Sequence, residues 1–515
     1  MLKHKNSSFM KQLCLVVMDG WGVGQRWGGN AIYNAQPSFY GSLWQTVPST
    51  TLGASGLDVG LLAQTSGNSE AGHVNIGAGR VVSQDLSWIQ HQIDDGEFFK
   101  NKTLNEIFLS AKQTGKPVHI IGLLSDGGIH AHIDHMYALL ELAARYRPVA
   151  VYLHLFGDGR DTEPHRIQLL LERLTMRINK FGVGIVASIV GRYYAMDRAR
   201  NFDRTQKAFS LLTAGTGEIV SSWEEGIANA YRRGMTDEYL SPMALRQTVS
   251  QTRIKDGDFI IFTNFRADRI WQIEAALTEN NFSAFARQPI KPGRMVSFVP
   301  IETAPNLESA MAPPTVSATL GEVISLAGFK QLRIAETEKG PHATYFLNGG
   351  RKEPFSGQKD EIVPSPTQSY VTMPEMSAYK LEPLVLRAIG DPQYKFIFLN
   401  LANADMVGHT GNMEASIKAV RIVDSIIKKI TGKAIASGTN LIITADHGNI
   451  DEMISPATGD VSVDHTRNRV PLFLITDDKR KKLRENGRLC DIAPTALSLM
   501  GLEKPPVMNG QSLVV

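Results

Sequence analysis

The sequence predicts an α/β protein with mostly parallel sheets, arranged as one discontinuous domain and one inserted domain. Three observations carry this. Short apolar runs recur along the whole chain, amphipathic segments lie between them, and a polar cluster follows nearly every run. The composition agrees: 515 residues, 43% hydrophobic and 20% charged, is enough for two domains with real cores.

The runs, in order, are "LCLVVM" (13–18), "VHIIGLL" (118–124), "VAVYLHLF" (149–156), "GIVASIV" (184–190), "FIIFT" (259–263), "FIFLNL" (396–401), "NLIIT" (440–444) and "VPLFLI" (470–475). Runs apolar on both faces suit strands buried in parallel sheets. "LSWIQHQID", "YALLELAARY" and "RIQLLLERLTMRI" have the spacing of amphipathic helices. The first ten residues read as a loose extension. The first run is too short for a secretion signal and lacks a cleavage site. No segment is long and apolar enough to span a bilayer.

Polar clusters follow these runs: Asp19 after the first, then "SDGGIHAH", "GDGRDTEP", "GRYYAMDR", "NFRADR", "ANADMVGH" and "ADHGN". Open α/β sheets bind ligands beyond the carboxyl ends of their strands, so these clusters predict an active-site rim. They divide by chemistry. Asp19, Ser69, Asp405, His409, Asp446, His447 and His465 lie near the two ends of the chain. Arg160, Arg192, Arg198, Arg266 and Arg269, with Asp158, Asp161 and Asp268, lie in the middle. One domain therefore spans 1–82 and 315–515, and the other is inserted as 83–314. "NIGAGRVV" reads as the outgoing linker and "VPIETAPNLESAMAPPTVSATLGEV" as the return.

Asp405 and His409 are four apart, on one face if helical. "DHG" and His465 add ligand types at strand ends. Mixed Asp and His donors suit Mn²⁺ or Zn²⁺ better than Ca²⁺, and there are donors enough for two ions. "SGNSEAGHVNIGAGR" (66–80) reads as too polar for a core helix. Either it is a surface turn capping a helix, or it presents Ser69 as a nucleophile for phosphorus, which a pair of ions would assist. It is not the G-x-S-x-G elbow of α/β-hydrolases. The arginines are either surface ion pairs or forks for a small polyanion. A net charge of +3 argues against nucleic-acid or membrane partners, and two cysteines, Cys14 and Cys490, point to a reducing cytosol.

Taken together, "GNSEAGHVNIGAGR", "SDGGIHAHIDH", "DGRDT", "GRYYAMDR", "FRADR", "AETEK", "PEMSA", "ANADMVGH", "ADHGN" and "HTRNRVP" resemble the cofactor-independent (2,3-bisphosphoglycerate-independent) phosphoglycerate mutases over the chain after its first ten residues. The resemblance implies an alkaline phosphatase-like domain holding two Mn²⁺, with a smaller α/β transferase domain inserted into it. Mg²⁺, Co²⁺ or Zn²⁺ are alternatives, and no 2,3-bisphosphoglycerate is needed. By motif, Asp405, His409 and His465 would hold one ion, and Asp19, Ser69, Asp446 and His447 the other. Ser69 would carry the phosphoryl group, with Lys339 steadying it. His130, Arg160, Asp161, Arg192, Arg198, Arg266, Arg269 and Lys339 would bind the phosphoglycerate, and Asp161 would move protons on its hydroxyls. The glycines around Ser69 would let backbone approach phosphate. The implied protein is a cytoplasmic monomer interconverting 2- and 3-phosphoglycerate. Two positions depart from the family, Gly340 where an aromatic is usual and "SYVTM" where an Asp is common. The rivals are a phosphatase or phosphodiesterase using the same metals, and an inactive phosphoglycerate sensor.

Overall fold

A computed structural model of the protein describes residues 11–266, 269–300, 307–311 and 316–515. The chain divides into two compact units, Met1–Gln84 with Thr315–Val515, and Asp85–Pro314. The first ten residues, Asp268 and the 314/315 boundary lie outside the described residues.

The first unit is built on an eight-stranded sheet in the order 358–363, 330–336, 394–401, 13–18, 440–444, 470–475, 49–53, 487–488. All pairings are parallel except those of Val470–Ile475, which runs antiparallel to both neighbours. The expectation of a parallel strand there is thus corrected. Buriedness on both faces does not report direction, because direction depends on the connection and not on side-chain polarity. Leu13–Met18 lies at the centre, every residue buried, paired with Tyr394–Leu401 and Asn440–Thr444. The long helix Met413–Ser437 covers the sheet with Val420, Val423, Ile427, Ile430 and Ala434, spaced three and four apart. Asn412 caps its start by accepting from the Ala415 N–H, and Gly438 ends it with φ 67°.

The second unit holds another eight-stranded sheet, in the order 308–309, 294–297, 259–262, 118–124, 151–157, 185–191, 243–245, 218–220. Its central strands are parallel, and Met243–Leu245 pairs antiparallel with Ile185–Gly191. Helices Ile133–Tyr146 and Ile167–Phe181 bury one face each. Lys330–Glu336, next to the edge strand of the first sheet, was not among the apolar runs. Its Arg333 and Gln331 break the pattern although both are buried.

The linker readings need adjustment. Asn75–Ala78 of "NIGAGRVV" belong to the buried helix Ser69–Ala78. The return stretch contains the short strand Glu308–Ser309 and enters the helix Leu320–Leu326.

Candidate active site

Four adjacent parallel strands of the first unit deliver the site from their carboxyl ends. Asp19 follows Leu13–Met18, Lys339 follows Lys330–Glu336, Asp405 follows Tyr394–Leu401, and Asp446 with His447 follows Asn440–Thr444. Because Val470–Ile475 runs the other way, its entry brings His465 to the same edge. Asp405 sits in the short helix Asn403–Gly408 and His409 just beyond it, as the four-residue spacing predicts. Gly20, at φ +76°, permits the contact that joins these ends, since a Cβ there would stand 2.6 Å from the Asp405 Cα.

Ser69 opens the helix Ser69–Ala78, and Asn68 caps it by accepting from the Ala71 N–H. The expectation that this stretch is too polar for the core is wrong: every residue of the helix but Glu70 is buried. Its polar atoms are satisfied locally, Asn75 donating to the Val59 and Ala71 carbonyls. The glycines serve packing here. A Cβ on Gly72 would stand 2.7 Å from the Asp446 carbonyl oxygen, and one on Gly77 1.9 Å from that of Leu347. The close approach is to the protein's own backbone.

Around Ser69 the groups converge. Its hydroxyl donates to Asp19 Oδ1 at 3.2 Å, lies 2.9 Å from His447 Nε2, and accepts from Lys339 Nζ at 2.7 Å. Lys339 Nζ also donates to Asp19 Oδ1 and Asp405 Oδ2, both at 2.7 Å. Burial works against the Lys339 ammonium, but Asp19, Asp405 and Asp446 outweigh it and raise its pKa. Burial likewise raises Asp19 and Asp405, but Lys339 together with the neighbouring histidines, His447 for Asp19 and His409, His465 and His447 for Asp405, outweighs it and holds both carboxyls below their ordinary range. Burial pushes His447 down, while Asp446, Asp19 and Asp405 lift it to about 9.

A second group lies beside it. His409 Nε2 and His465 Nε2 are 3.3 and 3.1 Å from Asp405 Oδ1 and 2.9 Å from each other. Their Nδ1 atoms face carbonyl oxygens, of Val463 at 2.8 Å and Gly67 at 2.9 Å. A carbonyl only accepts, so each Nδ1 carries a proton and both Nε2 atoms are turned toward Asp405 Oδ1 and each other. Two imidazole nitrogens and a carboxylate oxygen converging this way are a donor set that suits a cation. Among the described residues, Asp405–His409–His465, Asp19–Asp405–His447 and Asp19–His73–Asp446 each bring their donor atoms within 4.8 Å of one another.

In the second unit the structure gathers Arg192, Asp161 and His130. Arg192 Nη1 donates to Asp158 Oδ1 at 2.6 Å and Asp161 Oδ2 at 2.5 Å, and His130 Nε2 is 4.0 Å from Asp161 Oδ2. Burial works against the Arg192 guanidinium, but Asp161 and Asp158 raise it. Asp158 is itself held by the Ser125 hydroxyl at 2.6 Å. Arg160 is mostly exposed, 3.6 Å from Glu238. Arg269 donates to the Met196 carbonyl at 3.2 Å, and Arg198 and Arg266 are exposed.

Sequence reasoning assigned no role to His73 or Asn400, both buried in the first cluster. The available signal for Asn400 was a lone amide inside the apolar run "FIFLNL".

The chain matches known proteins along nearly its whole length. Residues 89–302 match the family model described as "BPG-independent PGAM N-terminus". The chain is 42% identical over 512 residues to the 2,3-bisphosphoglycerate-independent phosphoglycerate mutase of Symbiobacterium thermophilum, covering 99% of each. It is 43% identical over 513 residues to that of Yersinia pseudotuberculosis serotype O:1b, again covering 99% of each. A crystal structure of Leishmania mexicana phosphoglycerate mutase, determined at low cobalt concentration, superposes with a TM-score of 0.75 at 27% identity over all of both chains. With a serine, a lysine and clustered carboxylates and imidazoles at the strand ends, and near-complete coverage by relatives of one name, this chain belongs to the 2,3-bisphosphoglycerate-independent phosphoglycerate mutases and is an isomerase.

Proposed function

We propose that the chain interconverts 2-phosphoglycerate and 3-phosphoglycerate through a phosphoserine at Ser69. The observation that carries this reading is the Ser69 hydroxyl, buried and within 3.2 Å of Asp19, His447 and Lys339 together. Asp405, His409 and His465 would hold one divalent ion, and Asp19, Ser69, Asp446 and His447 a second. Such ions would supply positive charge to phosphoryl oxygens and ease loss of the Ser69 proton. Mn²⁺ is the first choice for mixed Asp and His donors.

Deprotonated Ser69 Oγ attacks phosphorus, the bond from phosphorus to the glycerate oxygen breaks, and that oxygen takes a proton by way of Asp161; the other hydroxyl of the glycerate then gives its proton to Asp161 and attacks the phosphoserine, breaking the bond from phosphorus to Ser69 Oγ. Lys339 faces the Ser69 oxygen with a full charge and so stabilises the group as it transfers. Arg192, Arg160, Arg198, Arg266 and Arg269 offer forks for carboxylate and phosphate oxygens. Asp161, with His130 beside it, is the group for moving protons on the glycerate hydroxyls. The reading carries with it a cytoplasmic, monomeric enzyme with a small-molecule substrate and no nucleic-acid or membrane partner. No helix among the described residues is long and apolar enough to cross a membrane.

The test is a coupled mutase assay on metal-stripped protein, re-supplied with one ion at a time and without bisphosphoglycerate. Turnover should return with Mn²⁺, and quenching during turnover should trap phosphate on Ser69. Steady release of phosphate without mutase turnover would assign a hydrolase instead.

A further inference from the structure

His73 lies one turn after Ser69, fully buried, and the reading above gives it no task. Its Nδ1 is 2.9 Å from the Ser69 carbonyl oxygen and 3.2 Å from Asp446 Oδ2. Both are acceptors, so Nδ1 carries the ring proton. Nε2 is then a lone pair, and Asn400 Nδ2 donates to it at 3.1 Å. The same amide nitrogen donates to Asp19 Oδ2 at 2.7 Å. Turning the Asn400 amide over would set its oxygen against a carboxylate and a lone pair, so this orientation is the compatible one. Its Oδ1 has no hydrogen-bond partner although buried. An unmet buried acceptor is unfavourable, and the amide's two donor bonds are what offset it.

His73 is thus hydrogen-bonded to the Ser69 backbone on one side and, through Asn400, to Asp19 on the other, while Asp446 Oδ2 lies 3.2 Å from its Nδ1 and has no hydrogen-bond partner. Ser69 and Asp19 are both proposed ligands of the Ser69-side ion. None of these hydrogen bonds reaches Asp405, His409 or His465. The His73 ring is further fixed by the His342 and Phe398 rings, at 5.5 and 5.9 Å.

We infer that His73 and Asn400 are positioning residues that hold Asp19 and the Ser69 end of its helix at the separation the Ser69-side ion requires, and that His73 is not itself a ligand. This rests on the two-ion reading above. The competing role is direct ligation, since Asp19, His73 and Asp446 lie close enough to share a cation. The hydrogen bonds argue otherwise, because both ring nitrogens are engaged, one as donor and one as acceptor.

The experiment titrates metal-stripped protein with Mn²⁺ and counts free ion by electron paramagnetic resonance, with no dependence on turnover. Wild type should bind two ions, and failure of that count would overturn the two-ion reading before this inference is reached. Asn400→Leu removes both donors at similar volume. It should weaken one class of sites about 10- to 100-fold and leave the other unchanged, the range seen when groups behind a metal's ligands are removed. His73→Phe keeps the ring and should do the same. In a His409→Ala background, which deletes the other ion's site, the surviving class should be the one that Asn400→Leu weakens. Equal weakening of both classes, or wild-type binding in both variants, would overturn the inference. So would complete loss of one class in His73→Phe with Asn400→Leu unaffected, which would make His73 a ligand. Circular dichroism checks folding, and if Asn400→Leu does not fold, His73→Phe with Asn400→Ala carries the same readout.

Discussion

Ser69 is surrounded by partners that each impose a state on it. Lys339 donates to its oxygen, and Asp19 accepts its proton. Ser69→Ala removes the oxygen and leaves the packing, because the side chain is small and its helix is capped by Asn68. Turnover should fall by at least ~1,000-fold, as when a covalent nucleophile is deleted, with the melting temperature nearly unchanged. A variant keeping a tenth of the wild-type rate would remove Ser69 from the mechanism. The imidazole beside it makes a second prediction. With its pKa lifted to about 9, His447 carries a proton at pH 7.5 in the metal-free protein. A ligand must be neutral, so Mn²⁺ uptake at pH 7.5 should release a proton. Calorimetry in buffers of different ionisation enthalpy measures it. Binding heats that do not vary with the buffer would argue that His447 takes no part.

At the scale of one element, the helix Ser69–Ala78 shows how packing overrides propensity. Alanine favours a helix interior over glycine by about 1 kcal/mol, so Gly72→Ala would stabilise an isolated helix. Here the added Cβ would stand 2.7 Å from the Asp446 carbonyl oxygen and 2.8 Å from the Asp446 Cβ. Backbone cannot yield as a flexible side chain can. The helix must shift away from Asp446, taking Ser69 and His73 with it. Gly72→Ala should therefore lower both the melting temperature and kcat, the latter at least tenfold. A more stable, fully active variant would mean that the helix slides freely.

Across the whole molecule, buried histidines of the second unit give the protein a pH dependence of its own. Burial lowers His119, lowers His154 well below its ordinary value, and brings His135 to about 3. His119 and His154 belong to a buried line in which Asp258, His119, His154 and Ser188 sit 3.2, 2.9 and 2.7 Å apart in turn. Neither ring nitrogen of His135 has a hydrogen-bond partner, and the ring packs on Phe265 and Phe298 at 5.8 Å. A lowered folded pKa means that the unfolded chain binds the proton first. The stability is present above about pH 6.5 and is lost as pH falls toward the folded values, at about 1.4 kcal/mol per pH unit for each histidine. His135→Phe should match wild type within about 1.5 kcal/mol at pH 7.5 and gain on it steadily below about pH 6.5. Urea unfolding at pH 5, 6 and 7.5 measures the gap. A constant gap would mean that His135 does not titrate with unfolding.

What the sequence by itself determined was the set of central strands and the chemistry at their ends. Leu13–Met18, Val118–Leu124 and Asn440–Thr444 have the limits read from their apolar runs, because a strand buried on both faces is mostly apolar. Asp19, Asp405 and Asp446 were visible as charges where such a run stops. Tertiary structure alone decided three things. It set the direction of Val470–Ile475, which depends on the path of the connection. It made the polar helix Ser69–Ala78 a core element, since its hydrogen bonds run to partners as far apart as Val59 and His447. And it aligned Asp446, His73, Asn400 and Asp19, residues hundreds of positions apart that become neighbours only when the strands pair. Local pattern records which side chains face a core, whereas hydrogen-bond partners are chosen by the packing of distant segments.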